Sequence, residues 1–147
     1  MSQSPAALEK RLYTAAATAF GGRDGRVKSD DGVLDFAVVP PKALGGNGTV
    51  ATNPEQLFAA GYSACFGSAV AHVARAQKLV TGPVAITAHV TLGSVGKGFG
   101  LAVVLEADIP ELPRDRAQAL IEAAHQVCPY SNATRGNIQV DLSLKGA

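Results

Sequence analysis

A chain of 147 residues, 47% hydrophobic and 17% charged, has the composition of one globular domain with a modest core and lies outside the disordered class. A formal net charge of +1, with Lys and Arg nowhere densely clustered, argues against a nucleic-acid or anionic-membrane footprint. The segment MSQSPAALEKRLY lacks a secretory pattern, and no apolar run approaches bilayer-crossing length. A soluble, cytoplasmic chain without a membrane partner is expected.

In chain order, Leu12 to Thr18 reads as a first strand, broken by the turn Gly21-Gly22-Arg23-Asp24-Gly25. Arg26–Ser29 and Val33–Val39 read as two more strands joined at Asp30-Asp31-Gly32. Pro40-Pro41 and the glycines from Gly45 to Gly48 end this meander. A clear helix start follows: Asn53 as cap, Pro54 at the first helical position, Gln56 in the capping-box place. The helix runs on to about Lys78 and is apolar on nearly every side, which predicts a buried central helix. Val84–Val95 and Leu101–Ile109 alternate as a hairpin joined by Gly96 to Gly100. Pro113 opens a second helix with Ala117, Leu120, Ile121 and Ala124 on one face, ending at Cys128-Pro129. Asn132–Gly136 reads as a polar turn or short helix, and Ile138–Leu144 as a last strand.

The order βββ-α-ββ-α-β, with no linker and no internal repeat, is α+β and a single domain over residues 1–147. One small sheet covers one side of a helix that is apolar all round. A homodimer is therefore predicted, each subunit burying part of the other's central helix at about 25 cal/mol per Å².

Two cysteines in a reducing compartment are either buried thiols acting as small hydrophobes or a transient redox pair. Cys65 lies about three turns into its helix, where the dipole has faded, so a reactive thiolate there needs a nearby cation. Arg23, in the glycine-rich turn, is the best candidate, and Glu55 can orient its guanidinium through a bidentate pair. Read blandly, Arg23 is a solvated turn residue and Glu55 a helix-start carboxylate. Glu55 stands about 15 Å of helix rise from Cys65, so it acts across a dimer interface or the helix is broken. Cys128, beside Pro129, must pack on the central helix to bridge to Cys65. Their long separation excludes CxxC or zinc-ribbon spacing.

Three blocks, GGRDGRVKSDDGVLD from Gly21, NPEQLFAAGYSACF from Asn53 and HQVCPYSNATRGN from His125, resemble the organic hydroperoxide resistance branch of the Ohr/OsmC superfamily in sequence, order and spacing. The resemblance covers essentially the whole chain. It implies antiparallel sheets around buried central helices in an intertwined homodimer, with Cys65 as peroxidatic cysteine, Cys128 as resolving cysteine, and Arg23 and Glu55 holding the thiolate. It further implies alkyl or fatty-acid hydroperoxides as substrates and dihydrolipoyl groups of lipoylated proteins as reductant, with no bound cofactor or metal. An apolar pocket would be walled by Leu57, Phe58, Tyr62, Phe66, Tyr130 and Phe36, each of which is otherwise simple core.

Rival readings are a metal site, a redox sensor without turnover, and a binder of apolar ligands. His125 and Cys128 lie three apart on one helix face, but His72 stands about 10 Å along the axis from Cys65, which leaves an incomplete zinc set. The sequons at Asn47 and Asn132 mean nothing without secretion. The run Gly93–Lys97 lacks phosphate-loop spacing, and His89 reads as a strand residue.

Overall fold

The structure, a computed structural model, describes residues 4–146; the first three residues of the amino-terminal segment read above lie outside it. The chain forms two compact units, Met1–Asn53 and Pro54–Ala147.

The first unit is an antiparallel meander of β1 (Ala17–Phe20), β2 (Gly25–Ser29) and β3 (Asp35–Val38), followed by one 3-10 turn at Lys42–Leu44. The first turn needs glycine: Gly21 and Gly22 have φ of 77° and 60°, and a Cβ on Gly25 would fall 1.8 Å from the Phe20 carbonyl oxygen. The second turn is at Asp30-Asp31-Gly32 as expected, with Asp31 Oδ1 accepting from the Ser29 hydroxyl (2.6 Å) and the Val33 N–H (2.9 Å). The first strand begins at Ala17 rather than Leu12. Ala17 pairs with Ser29, the last residue of β2, and beyond Ser29 the chain turns away, so Leu12–Thr14 have no ladder partner among the described residues. Among the described residues of this unit only Val38 is buried; Leu8, Leu12, Tyr13, Phe20 and Phe36 are exposed.

The second unit opens with α1 (Pro54–Ala76), unbroken over 23 residues and starting at the proline that suits a first helical position. Contrary to the sequence expectation, α1 is long and apolar enough to cross a membrane by length and composition alone. The core helix of a folded domain meets the same criterion, and one stripe of α1 does enter a core: Tyr62, Phe66, Ala69, Val70, Val73 and Ala74 are buried. Its opposite side, through Ala60, Ala64, Ser68 and Ala71, is exposed in the single chain.

β4 (Ala85–Val95) and β5 (Gly98–Asp108) pair antiparallel, with Val95 opposite Gly98. The connection is thus the two residues Gly96-Lys97, shorter than the glycine run suggested, with Gly96 at φ 54°. Val103, Leu105 and Ala107 alternate into the core. α2 (Arg114–Val127) buries Ala117, Leu120, Ile121 and Ala124 as its periodicity predicted. α3 (Pro129–Thr134) starts earlier than the expected polar turn, because Pro129 initiates it.

β6 (Val140–Leu144) runs parallel to β5, from Val103↔Val140 to Ala107↔Leu144. This corrects the expectation of purely antiparallel sheets. The chain leaving β5 crosses over through α2 and α3 before returning, and such a crossover delivers a parallel strand. The sheet order is β4-β5-β6.

Candidate active site

Cys65 sits at the margin of the buried stripe of α1, between Tyr62, Phe66 and Ala69, and is half-buried; Cys128 is fully buried. Cys128 alone separates α2 from α3. Its N–H donates to the Ala124 carbonyl (3.0 Å) and its carbonyl accepts from the Asn132 N–H (2.9 Å). This elbow packs on α1, and the two thiols stand Sγ to Sγ at 3.5 Å. Both are free. A disulfide needs about 2.0 Å, so closing the bond is a small movement.

Burial pushes the Cys65 thiol above its ordinary pKa; the Tyr130 backbone N–H pulls it down, and the adjacent Cys128 thiol pushes it up further. The environment supplied by the second unit thus favours a neutral thiol, the opposite of what a thiolate nucleophile needs.

Arg23 belongs to the first unit, in the turn between β1 and β2, and Glu55 is the second residue of α1; each residue has an interaction partner. Because α1 is unbroken, Glu55 and Cys65 of one chain are separated by about 15 Å of rise.

Around the elbow lies a polar cluster that sequence reasoning missed. Ser131 Oγ is 2.7 Å from His125 Nδ1 and 2.9 Å from Tyr62 Oη, and Tyr62 Oη is 3.1 Å from Thr134 Oγ1. Burial, then the charge of Arg135, holds His125 below its usual pKa. The only available signal was the density of hydroxyls in YSNAT after Cys128, in a segment read as a polar turn.

Beside the elbow is a cavity of about 440 Å³ lined by Phe58, Leu101, Tyr130, Ala133, Thr134, Asn137 and Ile138. A second hollow of about 390 Å³ shares Leu101, Asn137 and Ile138 with it and reaches Val95 and Phe99. Of the expected pocket residues, Phe58 and Tyr130 form the wall, their rings 6.1 Å apart. Tyr62 and Phe66 lie wholly in the core instead, since the turn of α1 that carries them faces α2 and the sheet. Leu57 is not among the residues lining the cavity, and Phe36 belongs to the first unit. Leu101 and Ile138 were missed because their meeting depends on the parallel β5–β6 register, which no local pattern reveals. Among the described residues, no group of three or more His, Cys, Asp or Glu is placed to hold a metal ion.

Two free thiols in contact, one half-buried and one buried, lie beside an apolar cavity, which is the arrangement a two-cysteine redox site requires. The family model of the OsmC-like proteins matches residues 45–143. The chain is 53% identical over 140 residues to the organic hydroperoxide resistance protein of Xanthomonas axonopodis pv. citri, covering 95% of this chain and 99% of that one. The crystal structure of an organic hydroperoxide resistance protein from Elizabethkingia anophelis superposes with a TM-score of 0.87 at 58% identity, covering 92% and 97% of the two chains. That of OhrB from Bacillus subtilis gives 0.84 at 50% identity, covering 92% and 100%. The chain belongs to the OsmC-like family, in its organic hydroperoxide resistance branch.

Proposed function

We propose that this protein is a thiol peroxidase that reduces organic hydroperoxides to alcohols. The observation that carries the reading is the 3.5 Å approach of the Cys65 and Cys128 sulfurs, in a family whose relatives are named for organic hydroperoxide resistance. The Cys65 thiolate attacks the distal oxygen of ROOH; the O–O bond breaks, ROH leaves, and Cys65 becomes a sulfenic acid. Cys128 then condenses with it, forming the disulfide and releasing water. An external dithiol, a dihydrolipoyl group on a lipoylated protein, reopens the bond by exchange. No bound cofactor or metal takes part.

Arg23 is assigned the role of favouring the thiolate and the charge on the leaving oxygen, and Glu55 that of aiming the guanidinium. The cavity bounded by Phe58, Tyr130, Leu101 and Ile138 has a volume within the range of small-molecule sites and suits an alkyl or acyl chain.

The working unit is inferred to be an intertwined homodimer. A three-stranded meander in which Val38 alone is buried among the described residues has little core of its own, and the small-residue side of α1 is exposed in one chain. With α1 unbroken, Glu55 would serve the partner's site. The protein is assigned to the cytoplasm, where a Cys65–Cys128 disulfide would be transient and catalytic rather than structural.

The test is steady-state consumption of cumene hydroperoxide and of hydrogen peroxide with dihydrolipoamide, thioredoxin or glutathione. Turnover with dihydrolipoamide, and a far higher kcat/KM for the organic peroxide, is expected. Oxidation that stops after one equivalent with every donor would replace the enzyme by a redox sensor.

A further inference from the structure

Four side chains that the proposed chemistry leaves unused converge on the elbow carrying Cys128. Tyr62 and Ser131 are fully buried and Thr134 is 6% exposed. The Thr134 hydroxyl donates to the Ser131 carbonyl at 3.2 Å, and because a carbonyl can only accept, this bond orders all the others. With its proton committed, Thr134 Oγ1 accepts from Tyr62 O–H; Tyr62 Oη then accepts from Ser131 O–H; Ser131 Oγ accepts from His125 Nδ1–H. His125 heads the chain. It supplies a donor and needs none in return. From outside, the Arg135 guanidinium donates to the His125 carbonyl and to Asn132 Oδ1 (2.8 Å), tying the end of α2 to α3.

We propose that His125 is a positioning residue for the resolving thiol: by donating its Nδ1–H to Ser131 it locks the α2–α3 elbow and holds Cys128 Sγ against Cys65 Sγ. The inference rests on the assignment of Cys65 as attacking and Cys128 as resolving cysteine. In that step the S–O bond of the Cys65 sulfenic acid breaks, the S–S bond forms, and the Cys128 thiol proton leaves with the hydroxyl as water. The competing step is attack of the sulfenic acid on a second hydroperoxide, giving sulfinic acid and alcohol. Misplacement by about an ångström costs up to about a hundredfold in such a step, so the ratio of disulfide to sulfinic acid reads the lock directly.

The experiment treats full-length reduced protein with increasing cumene hydroperoxide, quenches it at set times, and measures the state of Cys65 by mass spectrometry. His125→Leu and Ser131→Ala are expected to form the disulfide about tenfold more slowly and to accumulate sulfinic acid. His125→Asn, whose side-chain amide places an N–H near the position of Nδ1, is expected to restore the wild-type ratio. A wild-type ratio in His125→Leu, or in Ser131→Ala should His125→Leu fail to fold, overturns the proposal. Equal loss in His125→Asn and His125→Leu overturns it as well, because packing rather than the donated hydrogen bond would then be responsible. Failure of the wild-type protein to form a Cys65–Cys128 disulfide overturns the underlying assignment, and this control separates the two failures.

Discussion

Gly61 lies so close to the ring of Tyr130 that a methyl group at position 61 would stand 2.8 Å from the Tyr130 hydroxyl oxygen and 3.3 Å from two ring carbons. Tyr130 walls the apolar cavity, and its backbone N–H reaches Cys65. One glycine on α1 therefore sets both the shape of the cavity and the seat of a residue that touches Cys65.

Gly61→Ala is expected to displace the Tyr130 ring toward solvent, since Tyr130 is 39% exposed and its inner side is occupied by the rings of Phe58 and Tyr62. The helix gains up to about 1 kcal/mol from alanine propensity, which offsets part of the cost of the displaced ring, so the melting temperature should change little. The apparent KM for bulky organic hydroperoxides should change several-fold, as steady-state kinetics over a series of alkyl chain lengths will show.

Tyr62→Phe keeps the ring in the core and removes the hydroxyl that joins Ser131 to Thr134. Two buried hydroxyls each lose a partner, at about 1–3 kcal/mol in all. At roughly 2–4 °C per kcal/mol for a chain of this size, thermal denaturation should show a fall of roughly 2–12 °C.

The local elements were legible in the sequence because their signals are local. Asn53-Pro54 marked the start of α1, and the spacing of Ala117, Leu120, Ile121 and Ala124 marked the buried face of α2. The contact of Cys65 with Cys128 was legible as a requirement, that the second helix end on the first, but not as a distance. What escaped depends on pairings distant in sequence. The parallel register of β6, and with it the meeting of Leu101 and Ile138, has no local cause. The hydroxyl chain from Tyr62 to Ser131 spans 69 positions. Arg23 and Glu55 could be named as candidates from the glycine-rich turn and the helix start, but a turn arginine and a helix-start glutamate carry no distinctive pattern, and their pairing with Cys65 rested on the resemblance.

Within its own unit Cys65 is held above the ordinary thiol range, first by burial. A raised thiol pKa keeps the neutral form at neutral pH, and the thiolate fraction climbs as pH rises through it. The guanidinium proposed to serve the site, that of Arg23, would act in the opposite direction. Arg23→Gln should move the pH profile of Cys65 alkylation upward, with a loss of rate at neutral pH. An unmoved profile would remove Arg23 from the site.

His125 is held below its ordinary value by burial and then by Arg135. Its folded pKa is thus lower than its unfolded one, so its contribution to stability is present above the unfolded value near 6.5 and is lost as pH falls through the folded one. Melting temperatures taken across acidic buffers should fall in that window. His125→Asn, which cannot titrate there, should show a shallower fall.

The central claim is that Cys65 attacks and Cys128 resolves. Its most direct test is mass spectrometry of the reduced protein after one equivalent of cumene hydroperoxide, with Cys65→Ser and Cys128→Ser alongside. The wild-type protein should consume the peroxide and carry a Cys65–Cys128 disulfide. Cys128→Ser should consume it and carry a trappable sulfenic acid on Cys65, while Cys65→Ser should consume none. Consumption by Cys65→Ser at the wild-type rate would contradict the account.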